Sequence, residues 1–305
     1  MNPRIAVILP CYNEEAAIGL TVAGFREALP QADIYVFDNN SRDRTVEIAT
    51  QAGAIVRHEP MQGKGHVVRR MFADVEADIY VMADGDATYD AQAAPAMIQR
   101  LVDEHLDMVV GARASEVDTA YRRGHRLGNR VLTGILARLF GRTFSDILSG
   151  YRVFSRRFVK SFPILSAGFE IETEISVHAL ELRMPVAEMV TQYGARPQGS
   201  SSKLSTYRDG WRILRTILTL FRIERPVLYF GSIGAALALI AFALGTPLVI
   251  TYAQTGLVPR FPTAILVTGL AIVAALCFFA GLILDTVVRG RREMRRLAYL
   301  ALPAI

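Results

Sequence analysis

The 305-residue chain is poor in cysteine, with only Cys11 and Cys277. One follows a strand-like run and the other lies inside an apolar stretch, so a disulfide framework is excluded. Histidine is scarce too. His58, His66, His105, His125 and His178 show no spacing of metal ligands and read as structural or surface residues. The start MNPRIAVILPCYNEE lacks the long apolar core of a secretory signal. The soluble part is therefore expected in the cytoplasm, where thiols stay reduced. No GxGxxG follows the first apolar run, which argues against a dinucleotide site. There is no internal repeat and no low-complexity tract.

Charge is missing altogether from two stretches, 226–253 and 261–284. They account for an apolar fraction of 51% and a mean hydropathy of +0.27. A bilayer span needs ~20 apolar residues, and each stretch is long enough. Only Ala253 to Arg260 separate them, which predicts a helical hairpin. Arg222 and Arg225 precede the first span, and Arg289, Arg291, Arg292, Arg295 and Arg296 follow the second, while the connection holds only Arg260. By the positive-inside rule both ends face the cytoplasm. Just before the first span, Tyr207, Trp211, Leu214, Leu218 and Phe221 recur at helical spacing beside Arg208, Arg212, Arg215 and Arg222. That pattern suits an interfacial helix on lipid headgroups; a core-facing soluble helix is the alternative. Residues 130–142 have a similar character and are expected near the membrane.

What is present in the first half alternates. Apolar runs at Ile5–Leu9, Ile34–Phe37, Ala54–Val56, Ile79–Ala83 and Met108–Val110 are separated by helical spacing at Glu14–Leu29, Arg42–Ala52, Lys64–Val75 and Ala91–Glu104. This order predicts a parallel sheet with helices on both faces. Later, Phe169–Leu182 reads as a helix, Val186–Tyr193 as a strand and Arg196–Ser202 as a loop. Ligands in such sheets bind beyond the carboxyl ends of the strands. Tyr12, Asn13, Glu14, Asp38, Asp84 and Asp86 all fall there.

Asp84-Gly85-Asp86 places two carboxylates at a strand end. Hard divalent cations take oxygen ligands and bridge to substrate phosphates, although Asp-Gly-Asp on its own also suits a turn. Gly63-Lys64-Gly65 suits either a cation near a phosphate or a plain helix start. Arg122 and Arg126 stand four residues apart, on one helix face, not far from Arg113. Arginine forks suit phosphate. The net charge of +5 sits beside apolar helices, which favours phosphate-bearing lipid over nucleic acid.

The ordered set PCYNEE, FDNNSRDRT, GKG, DGD, GAR, DILSGYRVF and ARPQGSSSKL resembles the family-2 glycosyltransferases with a GT-A fold. The nearest branch in pattern is the dolichyl- and polyprenyl-phosphate mannosyl- or glucosyltransferases. The resemblance covers about residues 4–210. It implies an α/β, Rossmann-like GT-A domain with Mg²⁺ or Mn²⁺, a nucleotide sugar donor and a polyprenyl phosphate acceptor. It implies that Pro10, Tyr12, Glu14 and Asp38 serve the base and ribose. Asp84 and Asp86 would hold the metal and the diphosphate, with Arg196 and Lys203 closing over the phosphates and Lys64 near the donor. Arg113, Arg122 and Arg126 are expected to grip the acceptor phosphate. Two positions depart from the family pattern. Asp38-Asn39-Asn40 stands where relatives often have two acidic residues and a glycine, and Thr88 stands where many have glutamine. A weaker third metal ligand follows from the second departure.

The expected organisation is a catalytic domain over 1–204, an interfacial helix over 205–225, two transmembrane helices over 226–288 and a basic cytoplasmic tail over 289–305. That makes a multi-pass protein of a bacterial inner membrane or its equivalent, in contact with membrane lipids and compatible with a homo-oligomer. A transferase for another lipid or polysaccharide acceptor is the rival; no QxxRW acceptor motif is present. A non-catalytic membrane sensor of sugar nucleotides is a second rival.

Overall fold

A computed structural model describes residues 3–114, 133–135, 138, 144–164, 166–199 and 206–304. The chain forms two compact units, Met1–Ile217 with Arg295–Ile305, and Leu218–Met294.

In the first unit, β1 (Ile5–Cys11), β2 (Asp33–Asp38), β3 (Ile55–His58) and β4 (Ile79–Met82) alternate with α1 (Ile18–Ala28), α2 (Thr45–Gln51) and α3 (Lys64–Asp74). Next come α4 (Ala94–Asp103), β5 (Met108–Ala114), β6 (Arg152–Ser155), α5 (Arg156–Ser161), α6 (Ile171–Glu181) and β7 (Val186–Gln192). The strands form one sheet in the order β3-β2-β1-β4-β6-β5-β7. β1 pairs in parallel with β2 and β4, with Ile8 opposite Tyr35 and Met82. Strands with continuous apolar runs suit a sheet covered on both faces; Val7, Leu9, Val36, Val81 and Val109 are buried in one cluster with Ile18, Val22 and Phe25 of α1.

The sheet is not wholly parallel as expected. β6 runs antiparallel between β4 and β5, with Val81 opposite Val153 and Val153 opposite Val109. Its four residues RVFS begin with a charge, so no apolar run marks it. That charge, Arg152, is fully buried. Its guanidinium donates to the carbonyls of Ile147, Ser149 and Glu172 at 2.8–3.1 Å and to Ser176 Oγ at 3.0 Å. Burial lowers its pKa to about 10, so it remains a cation at neutral pH. One side chain thus ties the loop before β6 to the start of α6.

Two glycines allow close approach at the strand ends. A Cβ at Gly85 would collide with Cys11 Sγ, and one at Gly150 would lie 2.8 Å from the Asp84 carboxylate.

The second unit contains most of two long helices, α8 (Pro226–Thr255) and α9 (Phe261–Leu300), each long and apolar enough to cross a membrane. They pack antiparallel through small residues. Gly234 lies against Ala274, Gly245 against Val267 and Gly281 against Pro226, the close backbone approach that glycine permits. α8 ends on Gly256 in the left-handed conformation. Only 11% of each apolar window is buried. Core helices of a soluble protein would be mostly covered. α9 runs unbroken to Leu300, so the basic stretch expected as a tail is helical through that residue. An amphipathic helix, α7 (Thr206–Glu224), lies where the interfacial helix was expected. Ile213 and Ile217 are buried, while Trp211 is 68% exposed and Leu218, Arg212, Arg215 and Arg222 are exposed.

The last turns of α9 are part of the first unit. Asp107 is fully buried and accepts from Ser155 Oγ at 2.7 Å, from Arg157 at 2.5 and 3.1 Å, and from the Tyr299 hydroxyl at 2.7 Å. Arg296 donates to the Leu182 carbonyl at 2.7 Å. Burial and Asp107 raise the Tyr299 hydroxyl to about 12, so it stays a neutral donor. Tyr299→Phe removes one hydrogen bond to a buried charge, worth about 1.5–3 kcal/mol. Thermal unfolding of the full chain should shift down by roughly 3–8 °C. An unchanged Tm would show that residues beyond 294 are not part of the catalytic core.

Candidate active site

The parallel strands end along one edge of the sheet, and a cavity of about 350 Å³ opens there. Its walls carry four carboxylates, Glu14, Asp84, Asp86 and Glu172, and three cations, Lys64, Arg113 and Arg196. Pro10, Tyr12, Tyr89 and Tyr193 also line it.

The loops around the cavity are knitted to each other. After β1, Asn13 has φ 52°, a conformation asparagine tolerates. Its Oδ1 accepts from the Arg42 N–H at 2.8 Å, and its own N–H donates to Ser41 Oγ at 2.9 Å. Glu14 N–H donates to Thr45 Oγ1 at 2.8 Å. After β2, the Asn39 amide donates to the carbonyls of Glu59 and Met61, both at 2.8 Å, and accepts from Gly63 N–H at 2.7 Å. Asn39 therefore braces the loop that delivers Lys64. An acidic residue at this position has no N–H to donate, which gives the departure from the family pattern a structural reason.

The GKG segment works by contact. A Cβ at Gly63 or Gly65 would collide with the backbone oxygens of Ala167 and Ser166. Gly65 N–H donates to the Ala167 carbonyl at 3.1 Å. This approach brings the start of α6 to Lys64. The Lys64 ammonium pairs with Asp84 and, at 2.5 Å, with Glu172. Burial works against this charge, but Asp84 and Glu172 outweigh it and raise the pKa, so Lys64 stays protonated. Burial raises the Glu172 carboxyl, and the nearby Lys64 charge opposes that shift.

Asp86 is 3% exposed. Its Oδ1 accepts from Thr88 Oγ1 at 2.5 Å and from Thr88 N–H at 3.2 Å. Its Oδ2 pairs with Arg196, whose Nη1 lies 3.6 Å from Glu14. Thr88 is thus engaged in orienting Asp86. The intervening Ala87 has φ 57°, an uncommon conformation for a residue with a side chain. Among the described residues no cluster of three His, Cys, Asp or Glu is arranged to hold a metal. Asp84 and Asp86 still fit a divalent cation. Mg²⁺ commonly takes one or two protein carboxylates and completes its shell with water and substrate phosphate. The Asp86 carboxyl is raised by burial and then by the Asp84 charge, a repulsion that a bound cation relieves.

Arg113 is held at 2.7 and 2.8 Å by both oxygens of Asp146, with its guanidinium 5.5 Å from the Tyr193 ring centre. Asp146 and Ser145 in turn donate their N–H groups to Glu188 at 2.9–3.0 Å.

Of the residues expected from the sequence, Pro10, Tyr12, Glu14, Lys64, Asp84, Asp86, Arg113 and Arg196 meet at this cavity. Asp38 does not. It is 3% exposed, and its carboxylate turns back to accept from Ser41 N–H at 3.2 Å and face His58 Nδ1 at 3.3 Å. Asn39 lines the cavity in its place. Arg122, Arg126 and Lys203 lie outside the described residues, as does most of 130–142. Sequence reasoning missed Glu172, Asp146, Tyr89 and Tyr193. The segment FEIETE carried a signal for the first. Glu170, Glu172 and Glu174 alternate, and such a spacing cannot keep all three on the solvent face of one helix.

Residues 6–162 match Glycosyl transferase family 2. The glycosyltransferase AglJ of Haloferax volcanii is 35% identical over 250 residues, 81% of each chain. The chain belongs to glycosyl transferase family 2. This family 2 glycosyltransferase is also 27% identical over 221 residues to a dolichyl-phosphate hexose transferase of Haloferax volcanii, covering 72% of this chain and 95% of that one. A crystal structure of glucosyl-3-phosphoglycerate synthase from Mycobacterium tuberculosis, with Mn²⁺, UDP-glucose and phosphoglyceric acid, superposes with a TM-score of 0.60 at 23% identity. It covers 72% of this chain and 80% of that chain, and the likeness establishes a shared GT-A fold.

The raised Asp86 pKa has a measurable sign. A folded pKa above the unfolded one means that the ionised carboxylate costs stability. The cost is complete above the folded pKa and fades as pH falls to the unfolded value. Asp86→Asn should therefore keep or raise Tm at pH 7 while sugar transfer disappears. The difference from wild type should close towards about pH 4. A lower Tm for the variant at pH 7 would contradict this reading.

Proposed function

We propose that this glycosyltransferase moves a sugar from a nucleotide diphosphate donor to a polyprenyl phosphate at the cytoplasmic face of a membrane. The observation that carries the reading is the carboxylate pair Asp84 and Asp86 in a cavity that also holds Lys64, Arg113 and Arg196. Pro10, Tyr12 and Glu14 are assigned to the base and ribose. Asp84 and Asp86 would hold Mg²⁺ or Mn²⁺ together with the diphosphate. When bound, that cation supplies positive charge to the departing nucleoside diphosphate.

The chain's own residues do the rest. Lys64 and Arg196 offer charge-assisted hydrogen bonds to the diphosphate oxygens as negative charge builds there. Arg113, kept in place by Asp146 and Tyr193, offers its guanidinium to the acceptor phosphate, with Arg122 and Arg126 as its proposed partners and Lys203 near the diphosphate. An acceptor monoester has a second pKa of ~6, as for phosphoserine, so it arrives largely as a dianion. Its oxygen attacks the anomeric carbon, the bond from that carbon to the diphosphate oxygen breaks, and the configuration inverts. No strong general base is required.

The lipid side of the proposal is supported by the exposed Trp211, Arg212, Arg215 and Arg222 of α7 and by the two apolar helices. The dolichyl-phosphate hexose transferase among the relatives points the same way. The arginines flanking the apolar stretches, Arg222 and Arg225 before the first and Arg289, Arg291, Arg292, Arg295 and Arg296 after the second, support termini in the cytoplasm and residues 253–260 on the far side.

A panel of UDP- and GDP-linked sugars offered with a short-chain prenyl phosphate tests the reading. One donor should be consumed to give a prenyl-phosphate sugar, and excess chelator should abolish the reaction. Full activity in chelator, or donor use with every acceptor except prenyl phosphate, would contradict it. The topology has its own check, made after Cys11 and Cys277 are replaced. Gln254→Cys should react with an impermeant thiol reagent from the side opposite to Ser202→Cys. Labelling of both from the same side would reverse the assignment.

A further inference from the structure

Each carboxylate of the Asp84–Asp86 pair already carries a side-chain cation of the protein, and the two cations are held differently. Lys64 opens a helix, has 9% of its side chain exposed and is gripped by the buried Glu172 at 2.5 Å. Arg196 follows β7 in a segment without helix or strand, and 27% of its side chain is exposed. Its contact with Glu14, at 3.6 Å, is too long for a hydrogen bond. Both Asp86 oxygens are in use, one with Thr88 and one with Arg196. A divalent cation that takes Asp86 Oδ2 comes to lie beside the guanidinium on the same oxygen, a like charge. Thr88 is 3% exposed, and its carbonyl is tied to Gly194 N–H at 2.8 Å. Of the two donors, Arg196 carries the like charge and is the more exposed.

We infer that Arg196 is a resident stand-in for the divalent cation on Asp86, and that it passes to the donor diphosphate when the cation binds. The inference rests on the donor-site reading of the cavity but involves no acceptor. A divalent cation entering alone leaves the guanidinium beside a like charge with its carboxylate lost. A nucleoside diphosphate entering with the cation gives the guanidinium fork new anionic oxygens. Cation and nucleotide therefore bind with positive coupling, which by linkage is the same in both directions. Lys64 stays where it is, because Glu172 holds it when Asp84 turns to the cation.

The test is a Mn²⁺ titration of the full chain in detergent, followed by the electron paramagnetic resonance of free Mn²⁺. It is run alone, with UDP and with GDP, without sugar or acceptor. In the wild type, one nucleotide should tighten Mn²⁺ binding by about tenfold or more. Arg196→Gln should bind Mn²⁺ alone about tenfold more tightly than wild type, the scale of one lost charge-assisted contact, and should lose most of the nucleotide effect. Equal or weaker Mn²⁺ binding by Arg196→Gln alone would overturn the inference, and so would an undiminished nucleotide effect in that variant. Absence of Mn²⁺ binding to both proteins with both nucleotides would overturn the donor-site reading as well. The expected coupling in a protein that transfers no sugar to prenyl phosphate would uphold the inference and remove only the proposed acceptor.

Discussion

Four carboxylates facing one cavity of about 350 Å³ are a burden that the fold has to balance. Coulomb repulsion and lost hydration both act against them. Lys64, set between Asp84 and Glu172, is the main counterweight. Much of the surrounding structure places these three side chains. Asn39 fixes the approach to Lys64, and the glycines at 63 and 65 let the chain at 166–167 close on it. Arg152 ties the start of α6, which carries Glu172, to the loop that carries Asp146. Gly150 leaves room for the Asp84 carboxylate. Sequence motifs that look separate in the chain are thus parts of one electrostatic arrangement.

The alternation of apolar runs and helical spacing made the parallel core of the sheet legible, because each parallel strand is buried on both faces and reads as a continuous run. β6 was not legible. It is four residues long and starts with an arginine whose burial is secured by carbonyls that only the folded chain assembles. Of the expected residues that meet at the cavity, Tyr12, Glu14, Asp84 and Asp86 were legible as strand ends, whereas Pro10 and Arg196 followed only from the family resemblance. Asp38 looked equivalent to Asp84 by that criterion, yet the turn at 38–41 satisfies its carboxylate locally. Glu172 and Asp146 escaped notice for a related reason. Each acts through a cation far away in sequence, and no local spacing reveals such a partner.

The two apolar stretches were the plainest feature of the sequence, and they do form long helices with their apolar side chains exposed. The end of the second helix was less predictable. Its basic stretch was expected only as a cytoplasmic tail, and within it Tyr299 and Arg296 find partners at Asp107 and Leu182. A chain end that follows a long apolar helix therefore contributes a buried hydrogen bond to the first unit. α7 divides its apolar residues between two faces, with Ile213 and Ile217 buried and Trp211 and Leu218 exposed. A single amphipathic pattern in sequence does not separate those two uses.

The charge balance around Lys64 can be measured by a double-mutant cycle on thermal and denaturant unfolding of the full chain. Lys64→Met alone strands carboxylates that the ammonium had neutralised, and such a loss costs about 3–5 kcal/mol when the pair is buried. Adding Glu172→Gln removes the stranded charge and should recover most of that cost, giving a coupling energy well above the ~0.5 kcal/mol expected for independent sites. Costs that simply add would show that Lys64 and Glu172 do not act as a unit, and would contradict the view that this ion pair organises the site.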